Sequence, residues 1–155
     1  MELCSLQAVL EKFAPLSLSK RLIEQGDFDN SGLLIKTHGS VSGVLCALDL
    51  SENAVREAKR VKADTIITHH PVIYYPVSEI NEDEPKGKAV ILAVKNGINV
   101  IAMHLNLDVA ENGIDYYLCK GLKGENAVIL DHMSKTEGYG REFNIEPTTL
   151  SEYEK

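Results

Sequence analysis

Two short segments of the 155-residue chain concentrate side chains that can bind metals or move protons. The first, Thr68–Pro71, contains the adjacent histidines His69 and His70, and the second, His104–Asp108, supplies an imidazole and a carboxylate. Imidazole is the commonest metal-binding side chain, and the proline after the first pair restricts the backbone so that both rings can be held in place. The two segments therefore predict a metal-binding site.

A mixed set of nitrogen and oxygen ligands suits Zn, Fe, Mn, Co or Ni better than Ca or Mg, which prefer oxygen cages. Two adjacent histidines that diverge can each bind a different ion, so a two-metal centre with ions roughly 3.5 to 4 Å apart is a natural hypothesis. Such a pair activates water at neutral pH and polarises an electrophile. The ligands in these segments are too few to complete two metals, so more must come from elsewhere.

A structural interpretation competes with the metal interpretation at each position. A lone histidine is more often a hydrogen-bonded structural residue, and we interpret His38 and His132 in this way. Two adjacent histidines at the end of a strand reverse that preference. Asp108, taken alone, would be interpreted as a capping residue of a helix predicted from residue 111.

The elements that must position these residues form two βαβ units. Apolar strands are predicted at 44–48, 65–68 and 98–103, separated by helices at 52–62 and 86–96. Crossovers of this length impose parallel strands, whose carboxyl ends lie at one edge of the sheet. Asp49, both adjacent histidines, and His104 with Asp108 should therefore face one crevice.

The remaining pattern completes an α/β prediction: three layers, with a mixed, mostly parallel sheet and flanking helices. The uninterrupted apolar run Val44–Leu48 is typical of a strand covered on both faces, with Cys46 in the core. Gly138 and Gly140 favour a flexible turn, and Thr149 begins a Thr-x-x-Glu capping box that predicts the start of a helix. We predict an α/β domain over 1–135 that carries the metal motifs, and the start of a truncated second part over 136–155.

Composition narrows the function classes. The chain has 16 basic and 23 acidic side chains, a net charge of −7, which disfavours non-specific nucleic-acid binding and attraction to an anionic membrane. Neither a secretory signal nor a long apolar run is evident, so we expect a cytoplasmic protein. Three widely spaced cysteines argue against both a disulfide framework and a zinc knuckle.

Four motifs together resemble the Nif-three-like family, also called the YbgI or GTP cyclohydrolase I type 2-like dinuclear metal-centre family. The motifs are Phe28–Leu33 (FDNSGL), Ala47–Asp49 (ALD), Ile66–Pro71 (IITHHP) and His104–Ala110 (HLNLDVA). The resemblance implies that His69 and His70 each bind one ion of a pair, that Asp108 binds one of them, and that His104 lies beside the metals, where it supports a ligand or transfers a proton. It also implies a late His-x-x-x-Glu pair, which does not occur in this sequence, so the chain resembles the N-terminal portion of the family.

Two functions follow from the resemblance. The first is a dinuclear-metal-dependent hydrolase acting on a small molecule, with a nucleotide such as GTP suggested by the family label. The alternative is a non-catalytic regulatory, scaffolding or metal-carrier protein. Ring-shaped oligomers in the family imply that this chain self-associates into a homo-oligomer.

Overall fold

A computed structural model describes residues 1–153 of the chain. Its helices are α1 (Leu3–Phe13), α2 (Leu16–Glu24), α3 (Glu52–Arg60), α4 (Pro85–Lys95), α5 (Leu105–Val109), α6 (Ile114–Gly121) and α7 (Leu150–Tyr153). Its strands are β1 (Gly32–Ile35), β2 (Val44–Ala47), β3 (Thr65–Thr68), β4 (Asn99–Ala102), β5 (Glu125–His132) and β6 (Gly138–Asn144). The chain divides into two compact units, Met1–Leu107 and a second that begins at Asp108.

The first unit is built on a four-stranded sheet in the order β1-β4-β3-β2. Strands β2, β3 and β4 are parallel and in register, so that Ala47, Thr68 and Ala102 lie side by side at their carboxyl ends. Strand β1 joins β4 in the antiparallel direction. The predicted mixed, mostly parallel sheet is confirmed, and the ends of three strands meet at one edge.

Helices α3 and α4 cover one face of this sheet. Ser51 caps α3 by accepting a hydrogen bond from the Ala54 amide at 3.1 Å, as its position before the amphipathic run predicts. The buried side chains of both helices share one hydrophobic core with β3 and β4. Its members are Ile35, Leu50, Val55, Ala58, Ala63, Ile66, Ala89, Val90, Ala93, Ile98 and Val100.

The opposite face of the sheet is covered by α1. Side chains of this helix, including Leu10, line a small gap together with Leu33, Ile101 and Met103. The buried side-chain amide of Asn106 donates to the carbonyl of Ala14 at 2.7 Å, which joins the segment after β4 to the end of α1. Helices therefore flank both faces of the sheet.

Strand β2 corrects one prediction. It occupies the edge of the sheet, and its residues alternate between exposed and half-buried, with Val44 40% exposed. Cys46 is exposed as well, so the prediction of a core cysteine on a strand covered on both faces is wrong. An apolar run indicates a strand, but it does not indicate where that strand lies in the sheet.

The second unit contains α6, α7 and the antiparallel hairpin of β5 and β6. Gly138 and Gly140 lie within β6, so the prediction of a flexible turn there is wrong. The predicted capping box is present: Glu152 accepts hydrogen bonds from the Thr149 hydroxyl at 2.7 Å and from its amide at 3.3 Å. Within residues 1–153, no helix has the length and apolar character needed to cross a bilayer.

Candidate metal and proton-transfer site

Three histidines meet at the carboxyl ends of the parallel strands. The amide of His69 donates to Ala47 and that of His70 to Leu48, which extends the β2–β3 ladder past Thr68 and fixes both backbones. Ring centroids lie 4.9 Å apart for His69 and His70, 5.2 Å for His69 and His104, and 6.0 Å for His70 and His104. The three imidazoles therefore lie together at this edge of the sheet, as the alignment of the strand ends predicts.

Each of the three rings uses Nδ1 to reach an oxygen acceptor of the protein. These contacts are His69 to the Met103 carbonyl at 2.9 Å, His70 to Asp49 Oδ1 at 2.9 Å, and His104 to Asp29 Oδ1 at 2.8 Å. Carbonyl and ionised carboxylate oxygens only accept, so Nδ1 carries the proton and Nε2 has the lone pair in each neutral ring. Metal-binding histidines are commonly oriented in this way by a hydrogen bond from the second nitrogen.

The His104–Asp29 pair is the buried one. The Asp29 side chain is fully buried and that of His104 is 16% exposed. Burial alone would raise the pKa of Asp29, but hydrogen bonds from Ser19, Ser31 and His104 outweigh it and hold the pKa below the ordinary value. Asp29 is therefore ionised at neutral pH.

The His70–Asp49 pair is the exposed one, with side chains that are 46% and 60% exposed. Both residues line an open cleft of about 390 Å³. The other lining residues are Leu50, Pro71, Val72, Tyr74, Lys86 and His104. The cleft has room for a small molecule beside the imidazoles.

Aromatic side chains form one wall next to His104. Tyr74 meets the His104 ring edge-on at 5.8 Å and packs against Phe28 at 4.9 Å and Tyr75 at 4.7 Å. Its hydroxyl donates to the Phe28 carbonyl at 2.5 Å. Burial, together with the charges of Tyr75, Asp29 and Asp27, raises the pKa of Tyr74, so this hydroxyl stays protonated.

Asp108 lies in α5 and belongs to the second unit, where it is half-buried. Helix α6 begins later, with Gly113 in the N-cap position, so the alternative of Asp108 as its capping residue is wrong. No group of three or more His, Cys, Asp or Glu side chains within residues 1–153 is placed so that it could hold an ion. The role of Asp108 as a metal ligand stays a prediction.

Sequence reasoning missed the roles of Asp29 and Asp49. The sequence predicts Asp49 at this edge of the sheet, but not as the partner of His70. Asp29 is 75 positions from His104 and lies in an irregular segment before β1, where no periodicity indicates its direction. In the sequence, Asp29 is marked as a functional residue only by its position in the Phe28–Leu33 motif, one of those that resemble the Nif-three-like family.

The sequence is similar to those of several curated bacterial proteins. A protein of Clostridium acetobutylicum named GTP cyclohydrolase 1 type 2 homolog is 35% identical over 156 residues, covering 97% of this chain and 55% of the relative. A homolog of the same name from Clostridium perfringens is 32% identical, with 97% of this chain and 57% of the relative covered. The chain thus spans about half the length of these curated relatives.

A solved structure of a hypothetical protein from Staphylococcus aureus superposes with a TM-score of 0.86 at 26% identity, over 99% of this chain and 62% of the other. The family model described as Duf34/NIF3 (NGG1p interacting factor 3) matches residues 1–155. The sheet, the histidine motifs and these matches agree, and the chain belongs to the DUF34/NIF3 family.

Proposed function

We propose that this chain binds divalent metal ions through His69 and His70 and contributes to a dinuclear-metal-dependent hydrolase. One observation carries the proposal: the three histidines converge at the carboxyl edge of the sheet, and an oxygen acceptor holds Nδ1 of each ring. In this tautomer Nε2 is the nitrogen with the lone pair that a metal or a proton requires. Functional groups at this edge of a parallel sheet also agree with the general placement of ligand sites.

The donor set fits a transition-metal ion in kind but not in number. Imidazole nitrogen suits Zn, Fe, Mn, Co or Ni. Two histidines supply only part of a coordination shell, and we propose Asp108 as a further ligand. The His-x-x-x-Glu pair that the resemblance implies for a complete site does not occur in residues 1–155.

When bound, two such ions would supply an acidified water and polarisation of an electrophile. The residues of this chain would do the rest. His104 directs Nε2 toward the reacting group and accepts or donates a proton there. Asp49 holds the His70 ring, and Tyr74 presents an aromatic edge that limits where a small substrate can lie.

The substrate is best approached through the names of the relatives. Two curated relatives are named GTP cyclohydrolase 1 type 2 homolog, so GTP is the first candidate and nucleotides are the first class to screen. Phosphoesters and cyclic amides need the same acidified water and proton transfer, and they form the second class. Because the chain spans about half of these relatives, the activity of a whole relative is itself part of the proposal.

The proposal is tested by metal content and turnover in matched variants. We expect purified wild type to contain Zn, Fe, Mn, Co or Ni, and a His69→Ala/His70→Ala double variant to lose most of it. His132→Ala is the control, because within residues 1–153 the ring of this exposed histidine bonds only the nearby Ser134 carbonyl, at 3.2 Å. GTP consumption and formate release are then followed in the loaded protein. Equal metal content in wild type and the double variant would rule the proposal out.

A non-catalytic role is the second candidate, and one observation favours it. Although three imidazoles lie close together, no three His, Cys, Asp or Glu side chains within residues 1–153 are placed so that they could hold one ion. The family description also names a protein interaction, that of NGG1p interacting factor 3. Metal that binds tightly, without turnover of nucleotides, phosphoesters or cyclic amides, would support a regulatory, scaffolding or carrier role.

We further propose that the chain self-associates, as the ring-shaped oligomers of the resembling family imply. The exposed edge strand β2, with Val44 and Cys46 unpacked, is a surface on which a second copy could lie. Light scattering that detects only monomer at high protein concentration would contradict this part of the proposal.

A further inference from the structure

We infer that Asp29 is a positioning residue that fixes the tautomer and direction of His104. The inference rests on the proposed role of His104 in proton transfer and extends it to a residue that contacts neither substrate nor metal. Its content is specific: Asp29 keeps the proton of the neutral His104 ring on Nδ1, so that Nε2 faces the cleft as the accepting nitrogen.

Three side chains donate hydrogen bonds to the Asp29 carboxylate. Oδ1 accepts from His104 Nδ1 at 2.8 Å, and Oδ2 accepts from the Ser31 hydroxyl at 2.6 Å. Ser19 on α2 supplies a further side-chain hydrogen bond. The side chain is fully buried, so no water competes for these contacts. A carboxylate held by three donors has little freedom to rotate away from the imidazole.

The backbone around His104 is fixed by the same group of residues. The Ser31 hydroxyl, which donates to Asp29, also accepts the His104 amide at 3.2 Å. The segment that carries Asp29 is also held by residues after β3, because the side-chain amide of Asn30 donates to the Ile73 carbonyl at 2.5 Å and the Tyr74 hydroxyl donates to the Phe28 carbonyl. Ring and backbone are therefore positioned together, as a proton-transfer group requires.

A buried carboxylate determines the tautomer of the imidazole beside it, because it can only accept a hydrogen bond. An amide in its place can donate instead, which reverses the direction of that hydrogen bond. Asparagine at position 29 can direct its NH₂ group at Nδ1, and the ring would then carry its proton on Nε2. In a serine protease triad, the equivalent change preserves the geometry but leaves the histidine in the wrong tautomer. A merely structural role for Asp29 predicts lost stability without this reversal.

The experiment reads the tautomer directly, by long-range proton–nitrogen correlation in protein labelled with ¹⁵N-histidine and free of metal. In wild type we expect the neutral His104 ring in the Nδ1–H form. In Asp29→Asn we expect the Nε2–H form to appear and to become a major species. Asp49→Asn is the matched control, since it alters the equivalent acceptor of His70 and should leave the His104 signals unchanged.

The inference is overturned by a wild-type His104 that is mainly Nε2–H, or by an Asp29→Asn variant that folds and keeps the wild-type tautomer. The wild-type measurement decides the matter even where Asp29→Asn does not fold. Ser31→Ala, which removes one donor but keeps the carboxylate, is expected to retain the Nδ1–H form; its conversion to Nε2–H would show that Asp29 alone is insufficient and contradict the inference.

Failure of the inference is distinct from failure of the proposed function. Zinc titration of Asp29→Asn should give the wild-type number of sites, because His69 and His70 are unchanged. Loss of the His104 tautomer with zinc retained supports both ideas. If Asp29→Asn keeps the wild-type tautomer of His104 while the His69→Ala/His70→Ala variant loses zinc, the metal site is supported and the inference on Asp29 is contradicted.

Discussion

Histidines lie at both ends of the parallel strands, which we call the amino edge and the carboxyl edge of the sheet. At each edge a histidine has a side-chain partner, but its two ring nitrogens are engaged differently. At the amino edge, His38 has both ring nitrogens engaged, with Nε2 at 2.8 Å from the Gly97 carbonyl and Nδ1 at 3.4 Å from Asn99 Nδ2. At the carboxyl edge, His70 and His104 engage only Nδ1 within the described part of the chain. A histidine with both nitrogens used is structural, whereas one with Nε2 facing a cleft is available to a ligand.

The partners of these histidines differ in the same way. Asn99 is fully buried and its Oδ1 accepts from the amides of Thr37 and His38, so it closes the loop after β1. Asp49, at the other edge, is 60% exposed and contacts His70 from the cleft side. We therefore expect changes at the amino edge to affect stability, and changes at the carboxyl edge to affect binding.

The largest effect is expected for Asn99→Ala. This change leaves two backbone amides of a part-buried loop without their acceptor, which should lower the free energy of unfolding by about 3 kcal/mol. Asn96→Ala is the control, because the Asn96 side chain donates a single hydrogen bond, to the Leu92 carbonyl, and its loss should cost about 1 kcal/mol. Urea unfolding measures both. Metal content per folded molecule should stay at the wild-type value; a drop would remove the distinction between the edges.

The second prediction concerns Asp49→Ala. Loss of the acceptor frees the His70 ring to rotate, which should weaken zinc binding by about 10- to 100-fold. Because the pair is exposed, the free energy of unfolding should change by no more than about 0.5 kcal/mol. Asp83→Ala is the matched control, since Asp83 lines a neighbouring cavity together with Asp49, and its removal takes away the same charge without removing the acceptor of a histidine. Equal weakening in both variants would mean that net charge, not ring orientation, controls the affinity.

The third prediction concerns how acid affects the stability that one carboxylate near each edge contributes. Burial raises the pKa of Asp64 but hydrogen bonds from Ser42 and Gly43 outweigh it, so the pKa of Asp64, like that of Asp29, is lowered in the folded state. The stability that each contributes is present above the unfolded pKa near 3.9 and is lost as pH falls through the lower folded pKa.

The free energy of unfolding, measured from pH 6 down to about pH 2, should therefore fall less steeply with pH in Asp29→Asn and in Asp64→Asn than in wild type. Equal acid limbs in all three proteins would show that neither carboxylate is stabilised by its hydrogen bonds.

The sequence supported the prediction of the carboxyl edge because local patterns determine it. Apolar runs of strand length, an amphipathic helix after Ser51 and short crossovers are enough to align three strand ends. They predicted β3, β4 and the approach of His69, His70 and His104. No contact between distant segments had to be known.

The parts that could not be predicted depend on contacts distant in sequence or on the order of strands. The bond between Asp29 and His104 joins an irregular segment to the end of β4, and periodicity carries no information on such a pair. The prediction of a core position for Cys46 is wrong because an apolar run does not distinguish a central strand from the edge strand β2. Gly138 and Gly140 both adopt positive φ inside β6, so residues typical of turns concealed a strand.

The smallest effect is expected at a helix cap next to the site. Ser51→Ala removes the hydrogen bond to the Ala54 amide and should lower the free energy of unfolding by about 1 kcal/mol. Ser51 is two positions from Asp49, yet it contacts no histidine, so zinc affinity should stay at the wild-type value. Thr149→Ala is the control, because its exposed cap serves the four-residue helix α7 and should change stability by less than about 0.5 kcal/mol. If Ser51→Ala weakened zinc binding as much as Asp49→Ala, the carboxyl edge would depend on the position of α3 rather than on the acceptor of His70.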